Sequence, residues 1–340
     1  MSAKQYTVAV VGIGAVGAEM LRVLRQRNFP AREIRVLARR ARREEIDGVT
    51  YDVRETTPEA FDGLDIAIFA GTEGAKGASQ VFGWEAVRRG VVVIDNGDDF
   101  RMDDRVPLVV PEVNAEHLRK HQGFVANPNC STIQMVVALA PLHRAARIKR
   151  IVVATYQAVS GTGRDAIEEL RAQVNDFVQG KPLKNAVYPH PIAFNLFPHI
   201  SSLKEIFPGY YGEEIKMIRE TRKILDAPDL AVSATCVRVP VFIGHSEAIN
   251  VEFERKITAD EAREILRHAP GVEVLDDPAK AVYPTPLHAS GKDPVYVGRI
   301  REDSCRPNTL DLFCACDNIR KGAALNAVQN AEKMIEMGLL

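Results

Sequence analysis

The sequence predicts an α/β fold: a doubly wound parallel sheet in the first half of the chain, then a second α+β domain of mostly antiparallel sheet. Three observations carry this reading. A β-branched run, "YTVAVV", passes directly into a glycine loop and a helical pattern near the N-terminus. Short apolar runs then alternate with helix-period segments as far as residue 127, the pattern of parallel strands joined by crossovers. From residue 133 onward the strand-like segments lengthen and are separated by helices, as an antiparallel α+β domain requires.

The glycine loop reads Gly12-x-Gly14-x-x-Gly17, enclosing Ala15 and Val16, and a helical pattern follows. Between a strand and a helix, such glycines allow a tight turn and a close approach of backbone to a pyrophosphate at the helix start. A Rossmann-like nucleotide-binding domain is therefore expected. A second strand follows at 33–38, "EIRVLA". At its end, where a carboxylate would suit the ribose of NAD, stands Arg39–Arg40–Ala41–Arg42–Arg43. Guanidinium groups suit a 2′-phosphate and point to NADP; a solvated basic loop beside Glu44 and Glu45 is the alternative. Further strands are expected at 65–71, 90–97, 107–112 and 123–127, with a helix in "GASQVFGWEAVRRG" between the first two. Ligands of such sheets bind beyond the carboxyl ends of the strands.

The last of these strands leads into "NPNCSTIQ", residues 127–134. Asn129, Ser131 and Thr132 are helix-start residues. A helix start carries unpaired amide donors and partial positive charge. A thiol held there ionises more readily, and the same amides can hold an oxyanion on an acyl group bonded to sulfur. Cys130 is thus a candidate nucleophile at the ligand-binding edge; a small buried packing residue is the alternative.

In the second half, "RIVVATYQAVSG", "LAVSATCVRVPV" and "SEAINVEFERKI" read as long strands. "TADEAREIL" opens a helix with Thr258 and has Glu261 three residues on, a capping box. "DNIRKGAALNAVQNAEKMIEM" is an apolar-striped helix expected to pack back on the first domain. Several polar residues are hard to explain as plain surface: Gln157, Arg238, His245, and Glu213 with Lys216 one helical turn apart. Cys314 and Cys316, at period-2 spacing, read as small residues on one face of a strand rather than ligands with Cys305. With no CxxC pair and no neighbouring His, no metal is expected.

Bulk properties narrow the class. The chain has 340 residues, which favours two domains. Its net charge is −1, so no charge excess points to nucleic acid or an anionic membrane surface. No apolar stretch has the length of a bilayer span, and "MSAKQYTVAVVG" lacks the features of a secretory signal. Five cysteines, odd in number and unevenly spaced, fit reduced thiols and a cytoplasmic setting.

Taken in order, "FRM" followed by "VPLVVPEVN", then "NPNCSTIQ", "TYQAVSG", "AFNLFPHI", "EEIKMIRETRKIL", "VRVPVFIGHSEAI" and "DNIRKGAALNAVQ" resemble the aspartate-β-semialdehyde dehydrogenase family over essentially the whole chain. The resemblance implies NADPH-dependent reduction of L-aspartyl-4-phosphate to L-aspartate-4-semialdehyde with release of phosphate, a step toward lysine, methionine, threonine and diaminopimelate. It implies Cys130 as the nucleophile that forms a thioacyl enzyme, His245 as acid/base, Gln157 as the orienting amide, and Asn129 at the oxyanion. It places Arg238 on the substrate α-carboxylate, Glu213 on the α-amino group, and Arg101 and Lys216 on phosphate. Cofactor contacts fall on Gly12, Gly14, Ala15, Val16, Gly17, Arg39, Arg40, Ser160, Gly161 and, at the nicotinamide carboxamide, Asn318.

The same resemblance implies homodimers, in some relatives paired into tetramers, and domains at 1–132 with 318–340 and at 133–317. Two departures stand out. "GIGAVG" is one residue shorter than the family's G-x-x-G-x-x-G, and Gly97–Asp98–Asp99 replace the serines that usually precede "FRM". The competing readings are a sister enzyme such as an N-acetyl-γ-glutamyl-phosphate reductase, and a non-catalytic nucleotide-binding paralogue.

Overall fold

The structure is a computed structural model and describes residues 4–71 and 77–340. The chain forms two compact units, 1–129 with 323–340 and 130–322.

The first unit holds a seven-stranded sheet of β1 (Tyr6–Val11), β2 (Ala31–Ala38), β3 (Arg42–Ile46), β4 (Val49–Glu55), β5 (Ile66–Phe69), β6 (Val92–Asp95) and β7 (Phe124–Ala126), in the order β3-β4-β2-β1-β5-β6-β7. Every pairing is parallel except the edge hairpin β3–β4. β1 is buried along its whole length, as a central parallel strand covered on both faces must be. After β1, Gly12 adopts φ +98°, a conformation only glycine takes freely. Helix α1 (Ala15–Gln26) then returns over the sheet, burying Met20, Leu21, Val23 and Leu24. Its Gly17 is obligatory: a Cβ there would lie 2.0 Å from the carbonyl oxygen of Gly12.

Helix α2 (Ala78–Arg88) precedes β6. The expected strand at 107–112 does not form. Pro107 and Pro111 have no N–H to give a ladder. Only a local pairing survives, with Val109 N donating to Ala126 O at 3.1 Å and Ala126 N to Pro107 O at 2.9 Å, before Pro111 opens the short helix α3 (Pro111–Asn114). The β3–β4 hairpin is also new relative to the sequence reading: Arg42 and Arg43 start an edge strand rather than extending a loop.

In the second unit, α4 (Cys130–Ala146) packs on one face of a mixed six-stranded sheet of β8 (Ile148–Gln157), β9 (Ala231–Arg238), β10 (His245–Phe253), β11 (Val272–Val274), β12 (Val295–Glu302) and β13 (Thr309–Cys316). The order is β11-β12-β13-β10-β8-β9; the three central pairings are antiparallel and the two outer ones parallel. α4 is apolar on every side and almost wholly buried, which fits a helix enclosed in its own domain. Helix α5 (Arg164–Val178) anchors the following loop through Glu169 and Gln173, whose side-chain oxygens accept four backbone N–H groups of residues 186–193. α6 (Gly212–Ile224) and α7 (Ala259–Arg267) complete the inner layer, and α8 (Pro286–Ala289) is a single turn. The cap of α7 is half a box. Thr258 Oγ1 accepts Glu261 N at 3.1 Å, but the Glu261 carboxylate pairs with Arg255 instead of returning to the Thr258 N–H. A π-helical turn at Arg320–Ala324 leads to α9 (Leu325–Glu336), which packs against α1 in the first unit.

Candidate active site

The glycine-loop residues, Arg39 with Arg40, Arg101 and the buried Asn129 lie in the first unit. Gly12, Gly14, Ala15, Val16 and Gly17 form the turn from β1 into α1. Among the described residues nothing lies within 4 Å of where a Gly14 Cβ would stand, and no side chain caps the start of α1. Arg39 and Arg40 are exposed in the bend after β2, and their side chains have no partner among the described residues; the Arg40 carbonyl accepts Arg42 Nη1 at 3.4 Å. Arg42 and Arg43 are instead engaged by Glu44 and Asp52 at 2.7 and 3.2 Å. The basic run therefore divides into two arginines engaged within the hairpin and two whose side chains have no partner among the described residues. The residues fit a dinucleotide with a 2′-phosphate.

Arg101 follows β6, buried, with Nη2 donating to Asn96 O at 2.9 Å. Gly97 sits tightly against Asp95; a Cβ there would lie 3.2 Å from both carboxylate oxygens and from Ser79 Oγ. Burial pushes the Asp95 carboxyl up to about 6, with Gly97 N, donating at 2.9 Å, opposing that shift. Sequence reasoning missed a buried asparagine chain at this edge. Asn127 Nδ2 donates to Asn96 Oδ1 at 2.6 Å and to Ala323 O at 3.2 Å, while Asn326 Nδ2 donates to Asn127 Oδ1 at 2.7 Å. This chain ties the ends of β6 and β7 to α9 two residues before Asn129. Its only sequence signal is a set of asparagines in apolar segments.

The remaining candidates lie in the second unit, and most are joined by hydrogen bonds. Cys130 is the first residue of α4 and is partly exposed. Gln157, at the end of β8 and 1 % exposed, donates through Nε2 to Ser131 Oγ at 2.5 Å and to Glu213 Oε1 at 3.1 Å. Glu213 is in the first turn of α6 with Lys216 Nζ 4.0 Å from its other oxygen. Gln157 is also the register partner of Arg238 across β8–β9.

Arg238 is 4 % exposed; its Nη1 donates to Ala158 O at 2.7 Å, and its Nε has no partner among the described residues. The backbone of Phe197, in the "AFNLFPHI" stretch, bridges to that of Arg238 and closes this end of the sheet. A buried guanidinium with an unspent donor invites an anionic ligand.

His245 starts β10 and is completely buried. Its Nδ1 accepts Ala158 N at 3.0 Å, so the neutral ring carries its proton on Nε2, which has no partner among the described residues. Burial, and then the Arg238 charge, hold its pKa well below the ordinary value. The ring therefore stays neutral near pH 7 and presents an N–H. Gly161 leaves room for this pair: a Cβ there would lie 3.1 Å from His245 Nε2 and 3.2 Å from Arg238 Nη1. Ser160 Oγ and Gly244 N both donate to Asn318 Oδ1, at 3.0 and 2.9 Å, which fixes the orientation of the Asn318 amide.

Gly322 was also missed. Its Cβ would stand 2.8 Å from Cys130 Cβ, so the π-helical turn approaches the candidate nucleophile as only glycine permits. Cys314 and Cys316 are fully buried in β13 with thiols pushed up by desolvation.

Comparison with known proteins identifies the family. Residues 7–121 match the model for the semialdehyde dehydrogenase NAD binding domain, and residues 139–321 match that for the semialdehyde dehydrogenase dimerisation domain. The chain is 50 % identical to an aspartate-semialdehyde dehydrogenase of Aquifex aeolicus, covering 98 % of this chain and 99 % of that protein. It is 44 % identical to one of Bacillus subtilis, covering 98 % of each. Among solved structures, aspartate semialdehyde dehydrogenase II of Vibrio cholerae, complexed with ASA, superposes with a TM-score of 0.92 at 42 % identity, covering 98 % of this chain and 99 % of that one. With family models matching most of the chain and relatives of this identity over nearly its full length, the chain belongs to the aspartate-semialdehyde dehydrogenase family.

Proposed function

We propose that the protein catalyses the NADPH-dependent reductive dephosphorylation of L-aspartyl-4-phosphate to L-aspartate-4-semialdehyde, through a thioacyl intermediate on Cys130. The observation that carries the reading is the buried Arg238 guanidinium with its unspent Nε donor, in register with a Gln157 amide that holds Glu213 and the residue next to Cys130. Opposite charges so placed suit the carboxylate and ammonium of an α-amino acid. Residues 1–132 with 318–340 serve nucleotide binding and bring Cys130 at their edge, and residues 133–317 serve the rest of catalysis and dimerisation. The product feeds lysine, threonine, methionine and diaminopimelate biosynthesis in the cytoplasm.

Cys130 attacks the acyl phosphate carbon as thiolate and expels phosphate, dividing one difficult displacement into two easier steps. The first amides of α4 and the Asn129 side chain stabilise the oxyanion of each tetrahedral species. The neutral His245 ring hydrogen-bonds the reacting oxygen or sulfur through Nε2–H, without giving up that proton. Arg238 grips the α-carboxylate, Glu213 the ammonium, and Arg101 and Lys216 the phosphate. Gly12 to Gly17 approach the pyrophosphate, Arg39 and Arg40 the 2′-phosphate, and Ser160, Gly161 and Asn318 the nicotinamide side of the site. NADPH, when bound, supplies the hydride that reduces the thioester, and expulsion of the Cys130 thiolate then releases the aldehyde.

A homodimer is supported by the match to a dimerisation domain and by the outer face of the second sheet. There Val152, Ala154 and Phe313 line an open groove, and Tyr156 beside Phe313 is 38 % exposed. Pairs of dimers form tetramers in the same reading.

A spectrophotometric assay with aspartate semialdehyde, phosphate and NADP tests the function. Phosphate-dependent NADPH formation is expected. Turnover of N-acetylglutamate semialdehyde instead would assign the chain to the sister reductases. Turnover of neither would make it a non-catalytic paralogue.

A further inference from the structure

Ser131 is fully buried in the first turn of α4, immediately after Cys130, and the reaction outlined above gives it no task. Its hydroxyl oxygen accepts Gln157 Nε2 at 2.5 Å, and the same nitrogen donates to Glu213 Oε1 at 3.1 Å. A carboxamide nitrogen has two hydrogens, so both are committed. The Gln157 amide is therefore held from two sides, by the helix that carries the nucleophile and by the helix that carries Glu213. Three elements meet at this one group: α4, the end of β8, and α6. All three side chains are buried, with Glu213, at 6 % exposed, the most open of them. Without these two acceptors the amide could turn end for end, since its oxygen and nitrogen ends have nearly the same shape. A hydrogen bond removed in such dry surroundings leaves its partner unsatisfied.

We propose that Ser131 is a positioning residue for the chemistry of Cys130. With Glu213 it fixes which end of the Gln157 amide faces the site, so that recognition of the substrate ammonium and alignment of the nucleophile belong to one hydrogen-bonded unit. The proposal rests on Cys130 as nucleophile and Glu213 as ammonium partner. A carboxylate accepts at several lone-pair sites, so Glu213 can receive the ammonium while still holding Gln157. Its second oxygen faces Lys216 rather than Gln157.

The test is a double-mutant cycle on the full-length protein with Ser131→Ala, Gln157→Ala and the pair together. It has two readouts: kcat and KM for the semialdehyde, and the rate of Cys130 alkylation by iodoacetamide without substrate. Ser131→Ala is expected to lower kcat by roughly fivefold to thirtyfold, the effect of one buried hydrogen bond, while leaving the KM for NADP unchanged. In the Gln157→Ala background the same substitution should have less than about a twofold effect. A Ser131→Ala loss of equal size in both backgrounds would overturn the proposal, because a structural role does not pass through Gln157. If the native protein turns over no semialdehyde, the functional reading fails. The alkylation rates then decide the positioning role alone: a change that vanishes in the Gln157→Ala background supports it, and an equal change in both backgrounds refutes it.

Discussion

Glu247 on β10 is completely buried, and desolvation pushes its carboxyl up to about 8, opposed in part by the Gln134 amide and the Cys314 thiol. The Cys314 thiol faces its Oε2 at 3.5 Å, and Oε1 has no partner. A carboxyl in this setting is held as the neutral acid at pH 7, and folding must carry a proton that the unfolded chain has released. The folded-state pKa lies above the unfolded one. The stability this group contributes is therefore complete below about pH 4.5 and is lost as pH rises through about 8. Glu247→Gln replaces it with a neutral side chain of the same shape and removes that dependence.

Between pH 6 and pH 8 the slope is at most about 1.4 kcal/mol per pH unit and shrinks toward the upper end, giving roughly 2 to 3 kcal/mol of relative loss for the native protein. For a cooperative unit of this size that is about 4 °C in Tm. Thermal melts of both proteins at the two pH values measure it. The native Tm should fall relative to the variant by about that amount as pH rises. Parallel pH profiles, or a native protein that gains on the variant as pH rises, would refute the argument that desolvation governs this carboxyl.

The other predictions concern the site. Cys130→Ala should abolish turnover and leave NADP binding nearly intact in a fluorescence titration, with Cys130→Ser almost as inactive because a hydroxyl is a far weaker nucleophile. Replacing Arg39 and Arg40 with Ala should raise the KM for NADP and hardly change that for NAD; a native enzyme that already prefers NAD would make these two arginines plain surface. Arg238→Ala should cost on the order of 1.5–3 kcal/mol, or roughly tenfold to more than a hundredfold in kcat/KM for the semialdehyde. Arg238→Lys should also be damaging, since it keeps the charge and loses the planar fork. Unchanged kinetics in both variants would remove Arg238 from the substrate site.

The parts of the fold that were legible were those written in local pattern. β1, the glycine turn and α1 follow from a β-branched run, three glycines at fixed offsets and an apolar helical face. The edge hairpin was not legible, because Arg42 to Ile46 pairs through backbone and carries charges on both sides of the strand. The segment 107–112 read as a strand because its side chains are apolar, and the two prolines decided otherwise. At the site, residue types announced Gln157, Arg238 and His245, since buried polar groups in strand-like runs need a purpose. Ser131 and Gly322 gave no such sign, because a serine at a helix start and a glycine beside a helix each have an ordinary explanation.

What the sequence determined by itself was the order of elements, the position of a cysteine at a helix start, and the chemical types available around it. Those depend on neighbours along the chain. The protonation and orientation of the groups depend on neighbours in space. His245 carries its proton on Nε2 because Ala158 N–H, 87 residues away, occupies Nδ1. Gln157 faces as it does because Ser131 and Glu213, from two different helices, claim both its hydrogens. Arg43 is withdrawn from the basic run because strand pairing sets it opposite Asp52, which it binds at 3.2 Å. In each case the deciding contact is a hydrogen bond or ion pair in the folded chain, whose partner the local sequence alone does not name.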